Sequence, residues 1–515
     1  MSDPAVAPEY ALTGIRGLDD VLGGGLTPNR LYLLEGMPGS GKTTLAFQFL
    51  LEGVKQGERV LYITLSETEE EIRAVARSHG WSLDGIDVRE LVPTQDSLEP
   101  DEQYTMFHPS EVELSDTTRR ILDDVDRIRP SRLVFDSLSE LRLLAGSPLR
   151  YRRQILALKH YFAGRRCTVL LLDDLTGEDH DLQVQSIAHG VLLLQQTTPD
   201  YGKQRRRLSV LKYRGHDFRG GYHDYIIRRG GLDVFPRLVA AEHRATPEAG
   251  RIPCGIEGLD NLLGGGIDRG TSTLITGAAG TGKSTVAALF AHAVAQRGET
   301  AALFLFDENQ RTLIARMLSL GVDLQPQIDA GKMIVRQVDP AEWSPGEFTN
   351  AVRIAVAERN STVVVIDSLN GYLHSMPNER FLIIQLHEIL SYLAQQGVAS
   401  ILINAQLGLV GQMKSDIDAS YLADSVVLTR YFELDGEVRM ALSVVKKRGS
   451  HHERSIRELL FRNGMIRVGE PLREYRGVLT GVPVRNARSD DDMQASHPLP
   501  PPLSEQPDES KKPRS

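Results

Sequence analysis

A chain of 515 residues is too long for one ordinary hydrophobic core and sets a prior of about three domains. Hydrophobic residues make up 41% and charged residues 25%, enough apolar surface to exclude disorder as the dominant state, and no apolar run approaches the ~18–20 residues of a membrane helix. Lys and Arg number 59 against 68 Asp and Glu, a net charge of −9; nucleic acid and membrane are therefore not expected partners, although a local basic channel stays open.

The opening MSDPAVAPEYALTG has neither the basic patch nor the apolar stretch of a secretory leader. Cys167 and Cys254 are the only cysteines, too few for a disulfide framework or a four-thiolate metal site, and a reducing cytoplasm is the expected setting. In chain order, RLYLLEG (30–36) predicts a strand entering a Gly-rich loop, and TTLAFQFLLEGVKQG predicts the helix after it. RVLYITL (59–65) reads as a strand, TEEEIRAVARSHG as a helix and RLVFDS (132–137) as a strand. RYRRQILALKHYFAG then reads as a helix and CTVLLLDD as another strand. Apolar strands alternating with helices predict a parallel sheet covered on both faces, an α/β fold.

The whole pattern then recurs. TGIRGLDDVLGGG (13–25) is answered by CGIEGLDNLLGGG (254–266), and GMPGSGKTT (36–44) by GAAGTGKST (277–285). LVFDSLSE (133–140) is answered by VVIDSLNG (364–371), and LSVLKYRG (208–215) by LSVVKKRG (442–449). Four landmarks in one order predict a duplicated domain; a solenoid, with periods of roughly 20–50 residues, does not fit. The first domain is expected over 8–240 and the second over 246–482, with the boundary near 236–250. From 485 to 515 the Pro-rich, charged text HPLPPPLSEQPDESKKPRS predicts a disordered tail.

Both glycine loops match G-x-x-x-x-G-K-[ST] between a strand and a helix, as phosphate binding requires. Gly36, Gly39, Ser40, Gly41, Lys42, Thr43 and Thr44 are the candidate ATP-binding residues of the first copy. Gly277, Gly280, Thr281, Gly282, Lys283, Ser284 and Thr285 are those of the second. Backbone amides and the helix N-terminus cradle the phosphates and the lysine adds charge. Thr43 and Ser284 offer hydroxyls to Mg²⁺, and Asp136 and Asp367, each closing an apolar strand, are the expected second metal ligands. An isolated strand-end Asp more often caps the next helix; the upstream phosphate loops favour the metal here. Glu67 and Glu308, 241 residues apart like Lys42 and Lys283, are candidate catalytic carboxylates. Glu69 to Glu71 read instead as an acidic helix start.

Together these landmarks resemble the KaiC family of RecA-like ATPases over roughly residues 8–480. The resemblance implies two tandem RecA-like P-loop domains in a homohexamer of two stacked rings, with ATP and Mg²⁺ at the subunit seams. It assigns Lys212 and Arg214, and Lys446 and Arg448, to the neighbouring subunit's γ-phosphate. Without it these four residues read as solvated charges ending a strand. Ser450 and His452 match nucleotide contacts, whereas Phe218 stands where the family tends to place His. The second ring of the family phosphorylates itself, and Ser420 falls on its serine acceptor while Tyr421 replaces the threonine. Ser415 and Asp416 match a nearby Thr-Asp pair. The first copy, DLQVQSIAHGVLL, lacks the acceptor. The family's acidic pair also changes: Ser66 precedes Glu67, and Asp307, a further catalytic candidate, precedes Glu308.

The resemblance thus implies an ATPase and serine autokinase with a signalling or timing role, and a tail that either docks a regulatory protein or idles. Two rivals stand beside it. A DNA-dependent motor would need a basic channel, for which QRRRLSV (204–210) is the nearest text. A signalling scaffold would use ATP only to assemble.

Overall fold

The computed structural model describes residues 10–91, 109–175, 182–199, 201–246, 248–373, 379–406, 408, 419–462 and 464–485. The residue pair 415–416 and the segment 486–515 lie outside the described residues.

Among the described residues the first copy forms nine strands: β1 (Leu31–Gly36), β2 (Val60–Thr64), β3 (Ile86–Glu90), β4 (Arg132–Asp136), β5 (Thr168–Asp174), β6 (Gly190–Thr197), β7 (Arg205–Tyr213), β8 (His223–Arg228) and β9 (Gly231–Phe235). Their order in the sheet is β3-β2-β4-β5-β1-β6-β7-β8-β9. From β3 through β6 every neighbouring pair is parallel, and β7, β8 and β9 extend the sheet antiparallel. The second sheet repeats this order with Ser272–Gly277 in the place of β1 and Ser361–Asp367 in that of β4. The chain is therefore two mostly parallel α/β sheets in tandem, each flanked by helices.

All six residues of β1 are buried, because helices cover both faces. Alternation of side chains sends Tyr32 and Leu34 toward Phe47 and Leu50, while Leu31 and Leu33 join Ile155 and Leu158 on the other side. Parallel pairing brings the carboxyl ends of β1 and β4 to one edge, so the first glycine loop and Asp136 meet there.

The repeated Gly-Leu-Asp segments are joints of the scaffold. Asp19 accepts from the Thr13 amide at 2.9 Å and its hydroxyl at 2.8 Å, and Asp260 likewise accepts from the amides of Cys254 and Gly255 at 2.8 and 3.0 Å. Between the copies, Leu238 and Ala240 are buried in a core otherwise built from second-copy residues. Among the described residues no helix is long and apolar enough to cross a membrane.

Candidate nucleotide sites

Each glycine loop leaves a fully buried strand and turns into a helix, Lys42–Lys55 or Lys283–Gln296. The turn is made by Gly41 at φ 96° and Gly282 at φ 82°, left-handed conformations that favour glycine. A Cβ at these positions would lie 2.6 Å from Ile227 Cδ1 and 2.6 Å from Phe461 Cζ. The helices start with unsatisfied amides pointing at the loop, an anion site by construction. Tyr225 of β8 braces the first loop from behind, its hydroxyl donating to the Ser40 carbonyl at 2.5 Å.

Lys42 is buried, donates to the Gly36 carbonyl at 2.8 Å and pairs with Asp174 Oδ1 at 2.6 Å. Asp136 accepts at Oδ2 from the Thr43 hydroxyl at 3.0 Å and from the Tyr62 hydroxyl at 2.6 Å. Burial pushes its carboxyl above the usual range, against these bonds and Lys42. Glu67 follows β2 and lies near the same group: burial, then the charges of Asp136, Glu71 and Asp174, raise its pKa. Its Oε2 is buried without a hydrogen-bond partner among the described residues. Glu69 begins the helix Glu69–His79, in which Thr68 and Glu71 form a capping box. Those acids therefore serve the helix start.

In the second copy Lys283 donates to the Ala278 carbonyl at 2.6 Å, and burial lowers its pKa while Asp367 opposes the shift. Ser284 bonds Asp367, whose pKa burial carries up to about 6, with the charges of Glu308 and Asp307 adding to the rise. Asp307 accepts from the Ser368 hydroxyl. Glu308 is gripped by Arg316, with Nη2 to Oε2 at 2.7 Å and Nε to Oε1 at 3.3 Å. A cavity of about 610 Å³ is lined by Gly280, Lys283, Ser284, Asp307, Glu308 and Asp367, among others. The peptide bonds Asp136–Ser137 and Asp367–Ser368 are both cis.

The remaining candidates stand apart from these clusters. Lys212 donates to the carbonyls of Gln185 and Ser186 at 2.7 and 3.2 Å, and Arg214 to that of Ser186 at 2.7 Å. Lys446 mirrors this on the carbonyls of Ser420 and Ala423, both at 2.7 Å, and Arg448 on that of Tyr421 at 3.5 Å. Ser420, half-buried in a turn, occupies the place that Gln185 fills in the first copy. Ser450 donates to Asp268 at 3.0 Å, and His452 is half-buried nearby. None of Ser420, Lys446, Arg448, Ser450 and His452 lines the second-copy cavity. Thr44 and Thr281 are buried; Thr281 bonds the Ala278 carbonyl at 2.8 Å. Tyr62, Asp174 and Arg316 were not legible as candidates, since each reaches the site through a fold contact with no motif of its own, whereas Ser368 stands within the repeated VVIDSLNG text beside the more conspicuous Asp367.

Thr43 with Asp136, and Ser284 with Asp367, each set a hydroxyl beside a carboxylate, an all-oxygen pair that fits a hard cation such as Mg²⁺. Bound there, Mg²⁺ supplies neutralisation of phosphate charge.

A phosphate cradle on a strand-to-helix turn, with an acidic strand end facing it, makes each copy a P-loop ATPase domain of the RecA-like class. The comparisons narrow the class. The family model for the KaiC ATPase matches residues 11–239 and 252–473, and the chain belongs to that family. It is 29% identical to the circadian clock protein KaiC3 of Synechocystis sp., over 93% of this chain and 95% of that protein. It is 27% identical to the circadian clock oscillator protein KaiC of Picosynechococcus sp., over 95% and 96%. To KaiC of Synechococcus elongatus it is 25% identical, over 92% and 91%.

Proposed function

We propose that the chain binds Mg·ATP at both glycine loops, hydrolyses it, and phosphorylates itself on Ser420 within a cytoplasmic homohexamer that serves a timing or signalling role. Glu67 and Glu308 align the attacking water; Asp307 assists in the second copy. The observation that carries this reading is the duplicated meeting of loop lysine, loop hydroxyl, strand-end Asp and post-strand Glu.

The trans assignment draws support from the second copy. Lys446 and Arg448 hold the carbonyls of the Ser420 turn and lie outside the cavity of their own chain. From there they meet the phosphates of an adjoining copy, where two cations stabilise charge developing on the transferred group. On this reading Ser420, on the turn that Lys446 holds, receives the phosphoryl group of the neighbour's ATP. The named relatives are circadian clock proteins, which is the ground for a timing role.

The test is purified protein with Mg·ATP. Mass by light scattering should reach about six subunits under nucleotide, and phosphosite mapping should find Ser420, with incorporation lost in Ser420→Ala. Glu67→Gln and Glu308→Gln should each lower turnover, and the double variant should lower it by about 10²-fold or more. Retained turnover in the double variant removes both carboxylates from the reaction. Assembly without turnover in the unsubstituted protein would leave a scaffold, and stimulation by single-stranded DNA a DNA motor.

A further inference from the structure

Glu67 and Glu308 stand at matching positions, yet their carboxylates are held in different ways. Glu67 Oε2 has no hydrogen-bond partner among the described residues. Both oxygens of Glu308 are taken by one guanidinium, at 2.7 and 3.3 Å. The third nitrogen of Arg316 donates to Thr285 Oγ1 at 2.5 Å, on the third residue of the glycine-loop helix. Arg316 comes from the helix Gln310–Ser319, whose start is fixed by Asn309 accepting from the Thr312 amide at 2.9 Å. The offset that relates the two lysines puts Val75 at this place in the first copy, a side chain with no donor.

A fork of this kind is stronger and more directional than a surface ion pair. Side-chain exposures of 30% and 21% put it well below the fully solvated pairs that contribute little. The guanidinium takes a lone pair from each oxygen and fixes the carboxylate plane toward the helix, which leaves fewer lone pairs free to orient an attacking water.

We propose that Arg316 is a positioning residue that restrains Glu308, so that the second site hydrolyses ATP more slowly than its own machinery permits. This rests on the reading that Glu308 aligns the water. In hydrolysis the water oxygen bonds the γ-phosphorus as the bond to the β–γ bridging oxygen breaks. ADP and phosphate leave, and the water proton passes through Glu308 to phosphate and solvent.

The experiment uses the full chain in a Glu67→Gln background, where turnover reports the second site. Arg316→Val and Arg316→Gln should raise kcat about tenfold, the rate equivalent of one charge-assisted hydrogen bond. KM should stay within about twofold, since the restraint acts on the chemical step. Arg316→Lys, which occupies one oxygen, should fall between. Binding of a fluorescent ATP analogue checks folding, and the Gln and Lys variants carry the test if Val loses it. An unchanged or lower kcat with normal binding overturns the restraint. Adding Glu308→Gln to Arg316→Val separates the two failures. If a raised rate survives it, Glu308 is not the aligning carboxylate and the underlying reading fails. If it abolishes a rate that Arg316→Val had not raised, the restraint alone fails.

Discussion

At the residue scale the two copies have diverged around a shared plan. Gly36 stands opposite Asp174 in the first sheet, and Gly277 stands opposite Ala405 in the second. Only the first loop lysine therefore has a carboxylate partner from this strand, at 2.6 Å. Phosphate must compete with Asp174 for Lys42, so Asp174→Asn should tighten ATP binding at the first site by about three- to tenfold. Titration of a Lys283→Ala variant with nucleotide reads that site alone. A second residue, His223, is fully buried, and its Nδ1 accepts the Arg237 amide at 2.9 Å. The proton therefore sits on Nε2, which donates to the Arg219 carbonyl at 2.8 Å. Burial pushes this imidazole down to about 4. The unfolded chain takes up a proton as pH falls through about 6.5 while the folded ring stays neutral. Stability is then full above that pH and is lost as pH falls toward 4, by about 3 kcal/mol. Urea unfolding at pH 7 and pH 4 should show that loss, and His223→Gln should lack it.

Elements explain what the amino-acid sequence made legible. A phosphate loop is a local device, so GMPGSGKTT and GAAGTGKST announce their strand, turn and helix together. Asp136 and Asp367 were readable because each closes an apolar run. The Arg316 fork depends on which way a helix faces, and the Asp174 pair on which strands are neighbours; neither is written in spacing. The antiparallel β8 and β9 were equally silent, since HDYIIR and GLDVF carry no motif. Arg132 opens β4 with 0% exposure, and nothing in a lone strand-start arginine marks a buried charge. Its guanidinium binds Glu58 at 2.6 Å, the Leu12 and Phe49 carbonyls at 2.6 and 2.8 Å, and Gln56 at 3.0 Å. It thereby ties the N-terminal stretch and the end of a helix to the sheet. Arg132→Met leaves Glu58 and two carbonyls without their donor, and it should cost about 3–5 kcal/mol in denaturant unfolding. Arg132→Lys should recover only part, because one ammonium cannot serve four separate acceptors.

On the scale of the whole molecule the copies are joined by specific polar contacts. Asp224 of the first sheet accepts from the Gly346 amide at 2.7 Å, at the start of the second-copy helix Pro345–Ala357. Burial raises the pKa of this carboxyl, and the Gly346 bond and Arg207 oppose the rise. A carboxylate facing a helix N-terminus is favourable. A side chain at residue 346 would not fit, because its Cβ would lie 2.6 Å from that of Asp224. Asp224→Ala should weaken this joint by about 1.5–3 kcal/mol. Hydrogen exchange should then quicken in Pro345–Ala357 while Lys42–Lys55 keeps its protection. Equal change in both helices would mean that the contact does not separate the copies energetically.

Leu238 and Ala240 lie three to five residues beyond the last strand of the first sheet, yet they are buried in the core of the second. The hinge of the tandem is thus upholstered with apolar side chains borrowed across the join. A protease cutting after Phe235 would leave both plugs with the second half, whereas a cut after Ala240 would strand them on the first. The seam therefore belongs to the second half, and a fragment beginning at Ala241 would open a core that one beginning at Pro236 keeps closed.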